Sequence, residues 1–266
     1  MDYLTELENR TVYILREGFH LYKKTALLWS IGKDSTTLLW LARKAFFGRL
    51  PFPVLHIDTG WKFEEIYRFR DEWADRLGVD LIVHRNEDAI RKGVGPEQGR
   101  FECCSALKTE ALREVLGKYD FRALFLGIRR DEHGIRAKER YFSPRNGSFA
   151  WDFQNQPPEL WDLYLNEARD GEHLRIHPLL GWREIDIWRY IEREHIPVTD
   201  LYFSRNGKRY RSIGCEPCCE PVPSQADTTA GIIEELEQTR VSERSGRAQD
   251  KESAYMMQKL RSLGYM

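Results

Sequence analysis

Residues 26–35 read Ala26-Leu27-Leu28-Trp29-Ser30-Ile31-Gly32-Lys33-Asp34-Ser35. The apolar run to Trp29 predicts a short buried strand, and the residues from Ser35 to Phe47 predict a helix with Leu38, Leu39, Leu41 and Ala42 on its buried side. Between them lies a glycine-containing loop that opens directly onto the helix N-terminus. Such a loop offers unpaired backbone N–H groups and the positive end of the helix dipole, which together favour an anion. Gly32 lets the backbone approach a ligand, Lys33 adds a point charge, and Ser30 and Ser35 supply hydroxyl donors. This is a pyrophosphate cradle, distinct from the Walker loop, because GxxxxGK[ST] is absent from the chain.

Working outward, the unit repeats. Residues 2–22 predict an amphipathic leading helix, residues 53–57 a second strand, 62–77 a second helix and 81–84 a third strand. A helix from about 108 to 118 and a strand at 123–127 follow, then an aromatic, Pro-rich excursion over 140–171, a last strand at 175–180 and a helix at 182–194. Strands alternating with helices imply an α/β fold with a doubly wound, mostly parallel sheet. Ligands of such sheets sit beyond the carboxyl ends of the strands, where Ser30, Asp58 and Arg129 all fall. Residues 1–200 are expected to form the α/β domain, and 201–266 a C-terminal extension carrying cysteines and a basic tail.

The 41 Lys and Arg residues nearly cancel the 42 Asp and Glu residues, so bulk electrostatics announce neither a nucleic-acid nor a membrane binder and any anion site is local. No apolar run approaches the roughly 18 residues that span a bilayer, and the charged N-terminus lacks a signal-peptide core, which predicts a cytoplasmic protein. Five cysteines fall in two groups, Cys103-Cys104 and Cys215, Cys218, Cys219. In a reducing compartment that clustering points to metal or sulfur chemistry before disulfides.

Longer matches make the chain recognisable. The loop SIGKDS (30–35) resembles the SGGxDS loop of ATP pyrophosphatases, with Ile31 in place of the first glycine. Segments 41–63 (LARKAFFGRLPFPVLHIDTGWKF), 127–140 (GIRRDEHGIRAKER), 155–161 (NQPPELW), 175–191 (RIHPLLGWREIDIWRYI), 211–215 (RSIGC) and 242–250 (SERSGRAQD) resemble the small subunits of bacterial sulfate adenylyltransferases, within the wider phosphoadenosine-phosphosulfate reductase family. The resemblance runs over nearly the whole chain. It implies the adenine-nucleotide α-hydrolase type of fold, conversion of ATP and sulfate to adenylyl sulfate and pyrophosphate, and a GTPase large subunit as partner, with a homo-oligomer left open.

The residues suit that chemistry. Attack by a weakly nucleophilic oxyanion on the α-phosphorus needs positive groups around the transferring phosphoryl and the leaving pyrophosphate. Arg129, Arg130, Arg136, Lys138 and Arg140 supply five cations in one stretch, which also reads as a solvated charged loop. Asp131, Glu132 and Glu139 stand ready to neutralise or hold them. Lys33, Asp34, Arg129, Arg130 and Asp131 are the expected catalytic set, and Asp34 is a candidate Mg2+ ligand or loop orienter. Asp58, closing the second strand, is placed to bind Mg2+ or the ribose and equally to cap the next helix. Arg244 and Arg247 resemble tail residues that fold back over the nucleotide.

Residues 99–112 (GRFECCSALKTEAL) and 211–222 (RSIGCEPCCEPV) resemble the CC and CxxC pairs of iron–sulfur adenylyl-sulfate reductases. Cys103, Cys104, Cys215 and Cys218 would give four thiolates for a [4Fe–4S] cluster, a four-cysteine Zn2+ site is an alternative, and inert buried thiols are a third reading. Cys219 is a spare that can replace Cys218 or stay free. The catalytic Glu-Cys-Gly cysteine of those reductases has no counterpart here, since the chain has no cysteine after Cys219. A second function fits the same cysteines: an iron–sulfur ATP pyrophosphatase in sulfur transfer, such as DNA phosphorothioation, with a cysteine desulfurase and DNA as partners. A third, a non-catalytic adenylate sensor, leaves the complete phosphoryl-transfer set unexplained.

Overall fold

The computed structural model describes residues 2–164, 172–247 and 255–265. A leading helix α1 (Tyr3–Tyr22) is capped by the Asp2 carboxylate, which accepts from the Thr5 N–H, and feeds strand β1 (Thr25–Leu28). There follow α2 (Lys33–Ala45), β2 (Val54–Ile57), α3 (Glu64–Leu77), β3 (Leu81–His84), the short helices α4 (Glu87–Arg91) and α5 (Arg100–Cys104), then α6 (Ala111–Tyr119), β4 (Ala123–Leu126), β5 (Phe142–Arg145), β6 (His173–Ile176) and α7 (Glu184–Glu194). The sheet order is β3-β2-β1-β4-β6-β5, parallel throughout except for β5. All four residues of β1, β2, β4 and β6 are buried, as strands covered on both faces require.

Three expectations shift. The last predicted strand ends at Ile176, because the chain turns through Pro178 and the Thr11 hydroxyl holds the Pro178 carbonyl at 3.2 Å. The helix predicted from 108 begins as a π-helical turn, Ser105–Glu110, between α5 and α6. Inside the excursion the sequence FSPR forms the antiparallel edge strand β5, where Pro144 is tolerated because an edge has a side that need not donate. Residues 165–171 of the excursion lie outside the described residues.

The C-terminal part is built onto the same core. A small hairpin pairs β7 (Lys208–Arg209) with β8 (Val222–Pro223), and α8 (Thr229–Gln238) packs on α7, sending Ile232 into the main cluster. A last helix, Met256–Ser262, joins a second cluster with Cys104, Ile135 and Trp151. The buried Arg175 guanidinium, on β6, fixes its end by donating to the carbonyls of Gly264 and Tyr265. Among the described residues no helix is long and apolar enough to cross a membrane.

Candidate functional site

In the sheet order β1 is followed on one side by β2 and β3 and on the other by β4, so the topological switch lies between β1 and β4. The loops leaving these two strands meet there. Trp29 seats the first, its indole N–H donating to Thr36 at 3.0 Å, and Ser35 ties the turn by bonding the Ser30 N–H, the Ser30 hydroxyl and the Gly32 carbonyl at 3.0–3.2 Å. Ile31 takes φ +68°, a left-handed conformation costly for a β-branched residue, with its side chain buried. Gly127 closes the second loop onto the first. A Cβ there would stand 2.9 Å from backbone atoms of Asp34 and Ser35, so only glycine permits the approach.

Buried charges fill this junction. The Lys33 ammonium, 1% exposed, pairs with Asp34 at 3.1 Å and with Glu243, and the Lys33 N–H donates to the Tyr202 hydroxyl at 2.8 Å. Arg129, fully buried, reaches Asp34 and Glu243 as well, and its Nε donates to Asp131 at 2.9 Å. Glu132 accepts the Arg129 N–H at 3.2 Å and pairs with Arg136. Burial pushes the Glu243 carboxyl up, but Arg129 and Lys33 outweigh it and hold it well below the usual carboxylate range. Among the described residues, Asp34, Glu132 and Glu243 bring three carboxylate oxygens within 4.8 Å of one another.

Lys33, Asp34, Glu132, Tyr202 and Glu243 line one cavity with Ser30, Gly32, Ser35, Arg136, Arg244 and Arg247. Most of the expected site is therefore brought together; Arg129 backs the cavity through Asp34 and Glu243, and four other members lie away from it. Asp58 closes its own turn: its carboxylate accepts from the Gly60 N–H at 2.9 Å, the Tyr67 hydroxyl at 2.9 Å and the Arg85 guanidinium at 2.6–2.8 Å, and it does not cap α3, whose N-cap is Phe63 with no side-chain bond. Arg130 lies over the Tyr141 ring, and Arg140 donates to the Pro157 carbonyl at 3.2 Å. Both partners belong to the excursion. Asp131 stands behind the wall, joining Arg129 to the N–H that starts α7 at Glu184, a bond of 2.7 Å. Glu243, Tyr202, Lys62, Lys108 and Tyr265 line the cavity without having been singled out.

The thiols lie behind the neighbouring side of the cavity, where Lys62 and Lys108 approach Cys215. Cys103, Cys104, Cys215 and Cys218 are all buried. Burial first, then Cys104, Cys215 and Cys218, pushes the Cys103 thiol up to about 12, and Cys218 is likewise raised by burial and Cys215. Cys215 behaves oppositely: burial opposes ionisation, but Lys108, Lys62 and the Thr59 hydroxyl, 3.2 Å from its sulfur, bring it down to about 7. Cys219 stands apart, its sulfur accepting from the Gly214 N–H at 3.1 Å and from Arg247 at 3.3 Å.

Comparison with known proteins agrees with this geometry. The model of the phosphoadenosine phosphosulfate reductase domain matches residues 24–221. "Sulfate adenylyltransferase subunit 2" of Pseudomonas paraeruginosa is 41% identical over a 300-position alignment that spans 100% of this chain and 98% of that protein, and the namesake from Azotobacter vinelandii matches to the same extent. Among solved structures, Candida glabrata FMN adenylyltransferase superposes with TM-score 0.58 at 18% identity over 82% of this chain and 63% of its own. Candida auris phosphoadenylyl-sulfate reductase gives 0.54 at 16% over 84% and 98%. At these identities the structures establish the shared fold, that of the adenine-nucleotide α-hydrolase type.

Proposed function

The chain belongs to the phosphoadenosine phosphosulfate reductase domain family, and on that premise we propose that it transfers the adenylyl group of ATP to sulfate, releasing adenylyl sulfate and pyrophosphate. The observation that carries this reading is the full-length identity to sulfate adenylyltransferase small subunits, joined to a loop in which Lys33 and Arg129 converge on the N-terminus of α2. A sulfate oxygen attacks the α-phosphorus, the α–β bridging bond breaks, and its electrons leave with pyrophosphate. The loop N–H groups, the Ser30 and Ser35 hydroxyls and Lys33 hold the leaving pyrophosphate, while Arg129 and Arg136 spread the charge that gathers on it. Arg130, Asp58 and Arg140 take no direct part. Asp131 positions Arg129, and Arg244 and Arg247 close the nucleotide side.

Asp34, Glu132 and Glu243 offer the oxygen donors that Mg2+ prefers, one or two of them beside substrate phosphates being enough. Bound there, Mg2+ would supply positive charge against the substrate phosphates. The four buried thiols suit a cluster: the two loops that carry them meet, since Cys103 feels Cys215 and Cys218, and Cys218 feels Cys104 and Cys215. We adopt for them the [4Fe–4S] cluster that the sequence resemblance implies, with Cys103, Cys104, Cys215 and Cys218 as its thiolates; such a cluster would supply an electron-transfer centre.

Residues 1–200 supply the phosphate loop and 201–266 supply Glu243, Arg244, Arg247 and half the thiols. The relatives' designation as subunit 2 implies a large companion subunit, for which we adopt the GTPase that the sequence resemblance suggests. A cytosolic setting suits ATP as substrate. The sulfur-transfer alternative is not favoured, since the relatives are named for sulfate. The test is sulfate-dependent pyrophosphate release from ATP by the chain with its companion. Wild type is expected to turn over, and Lys33→Ala or Asp34→Ala to lose at least about 1000-fold, the order of one lost charge-stabilising group. Release that ignores sulfate, or undiminished turnover in both variants, overturns the reading.

A further inference from the structure

The lysines and arginines of the cavity are not all balanced alike. Lys33 and Arg136 each face carboxylates. Lys62 and Lys108, on the wall beside Cys215, do not. Lys62 follows the Asp58 turn, and its ammonium makes no hydrogen bond or ion pair among the described residues, although burial depresses its pKa. Lys108, 6% exposed, is carried inward by the π-helical turn and reaches one oxygen, the Tyr265 hydroxyl at 3.1 Å. That hydroxyl accepts from Lys108 and keeps its own proton to donate. Burying ammonium groups without carboxylate partners is unfavourable unless an anion completes them.

Resting on the adenylyl-transfer reading, we infer that Lys62, Lys108 and the Tyr265 hydroxyl form the acceptor subsite, built for a tetrahedral dianion beside the α-phosphate. Three donor groups meet there and no carboxylate of the cavity is paired to either lysine, so an oxyanion is accepted without displacing an internal anion. The subsite and the loop residues Ser30, Gly32 and Ser35 line the same cavity, as attack on the α-phosphorus demands. A second service of the lysines, holding Cys215 as thiolate, is compatible with this because a lysine ammonium has three protons to donate.

The test titrates sulfate calorimetrically into the full-length protein, purified without oxygen and saturated with α,β-methylene ATP, which blocks bond cleavage. Wild type is expected to bind one sulfate. Lys62→Met and Lys108→Met are each expected to weaken it at least 10-fold, and Tyr265→Phe about 3-fold, while affinity for the nucleotide analogue stays within 2-fold. In turnover the same variants should raise the KM for sulfate and leave that for ATP. Lys62 is the deciding position, because its partly exposed side chain can be replaced without disturbing the core. Sulfate binding unchanged in Lys62→Met, or no binding by wild type, overturns the subsite. Sulfate binding lost in the variants together with absent sulfate-dependent turnover in wild type keeps the subsite and removes the proposed reaction.

Discussion

Two walls of one cavity solve the same electrostatic problem in opposite ways. On the phosphate wall Lys33 and Arg129 are almost wholly buried, and the chain neutralises them itself by reaching back from residue 243 with a shared carboxylate. On the thiol wall Lys62 and Lys108 are left to one hydroxyl and to Cys215. The first wall is complete before any ligand arrives. The second is complete only with an anion or thiolate against it. The difference explains how a protein that binds two anions can fold around their sites: the stronger cation pair is stabilised internally, and the weaker one is left open.

The comparison breaks most forcefully at Glu243. Glu243→Gln leaves Lys33 and Arg129 facing each other with one carboxylate fewer, and removing one partner of a buried pair costs about 3–5 kcal/mol. The variant is expected to melt well below wild type and to recover in part with ATP or pyrophosphate, which bind only the folded state. The wild-type carboxyl has its folded pKa depressed, so its stabilisation is full above the ordinary value of about 4.3 and disappears only as pH falls toward the lower folded value. Equal melting temperatures for wild type and variant at pH 7 would show that the phosphate wall does not depend on this bridge.

Each wall also has one glycine that sharpens the contrast. A Cβ at Gly127 would strike the backbone of Asp34 and Ser35 at 2.9 Å, so Gly127→Ala must move the phosphate loop, at an expected cost of about 1–3 kcal/mol and with a raised KM for ATP. A Cβ at Gly214 would meet the Arg247 guanidinium at 2.2–2.6 Å, the far end of a flexible side chain that can swing aside. Gly214→Ala is therefore expected to lose under about 1 kcal/mol, typical of a substitution that a side chain can absorb. Thermal melts of the two variants give the order, and a larger loss at 214 would contradict the rigid-against-flexible distinction.

Legibility followed sequence distance. The phosphate loop was readable because Ala26 to Phe47 carries strand, turn and helix contiguously, and Arg129 because it ends the next strand of the switch. Arg136 stood in a conspicuous run of cations, but the run did not show that Arg130 and Arg140 turn away, since their partners, Tyr141 and the Pro157 carbonyl, are set by the excursion. Asp58 looked free at a strand end because Arg85, which holds it, lies 27 residues on. Glu243 is joined to Lys33 across 210 residues and Tyr202 across 169, so no local pattern announces either. Lys62 and Lys108 lie inside conspicuous motifs, HIDTGWKF and CCSALKTEAL, where the neighbouring carboxylate and cysteines are the stronger signals and mask them. The edge strand at 142–145 was hidden by Pro144, which is permissible only because that strand ends the sheet.

The smallest expected effect tests whether Lys62 is charged and uncompensated. His56 lies on β2 beneath this wall, its Nδ1 2.9 Å from the Trp29 carbonyl, and its pKa is lowered to about 3 by burial first and by Lys62 next. A depressed folded pKa means that the neutral ring is favoured in the fold, so this stabilisation is present above the unfolded value near 6.5 and is lost as pH falls toward 3. Lys62→Met should raise the His56 pKa, followed by its ring resonances in NMR, while burial keeps it below 6.5. Stability in mild acid should then fall less steeply than in wild type, by some fraction of the roughly 1.4 kcal/mol that one pKa unit represents. If the His56 titration does not move, Lys62 is neutral in the fold or too distant to be felt, and the contrast between a neutralised wall and an open one loses its more exposed member.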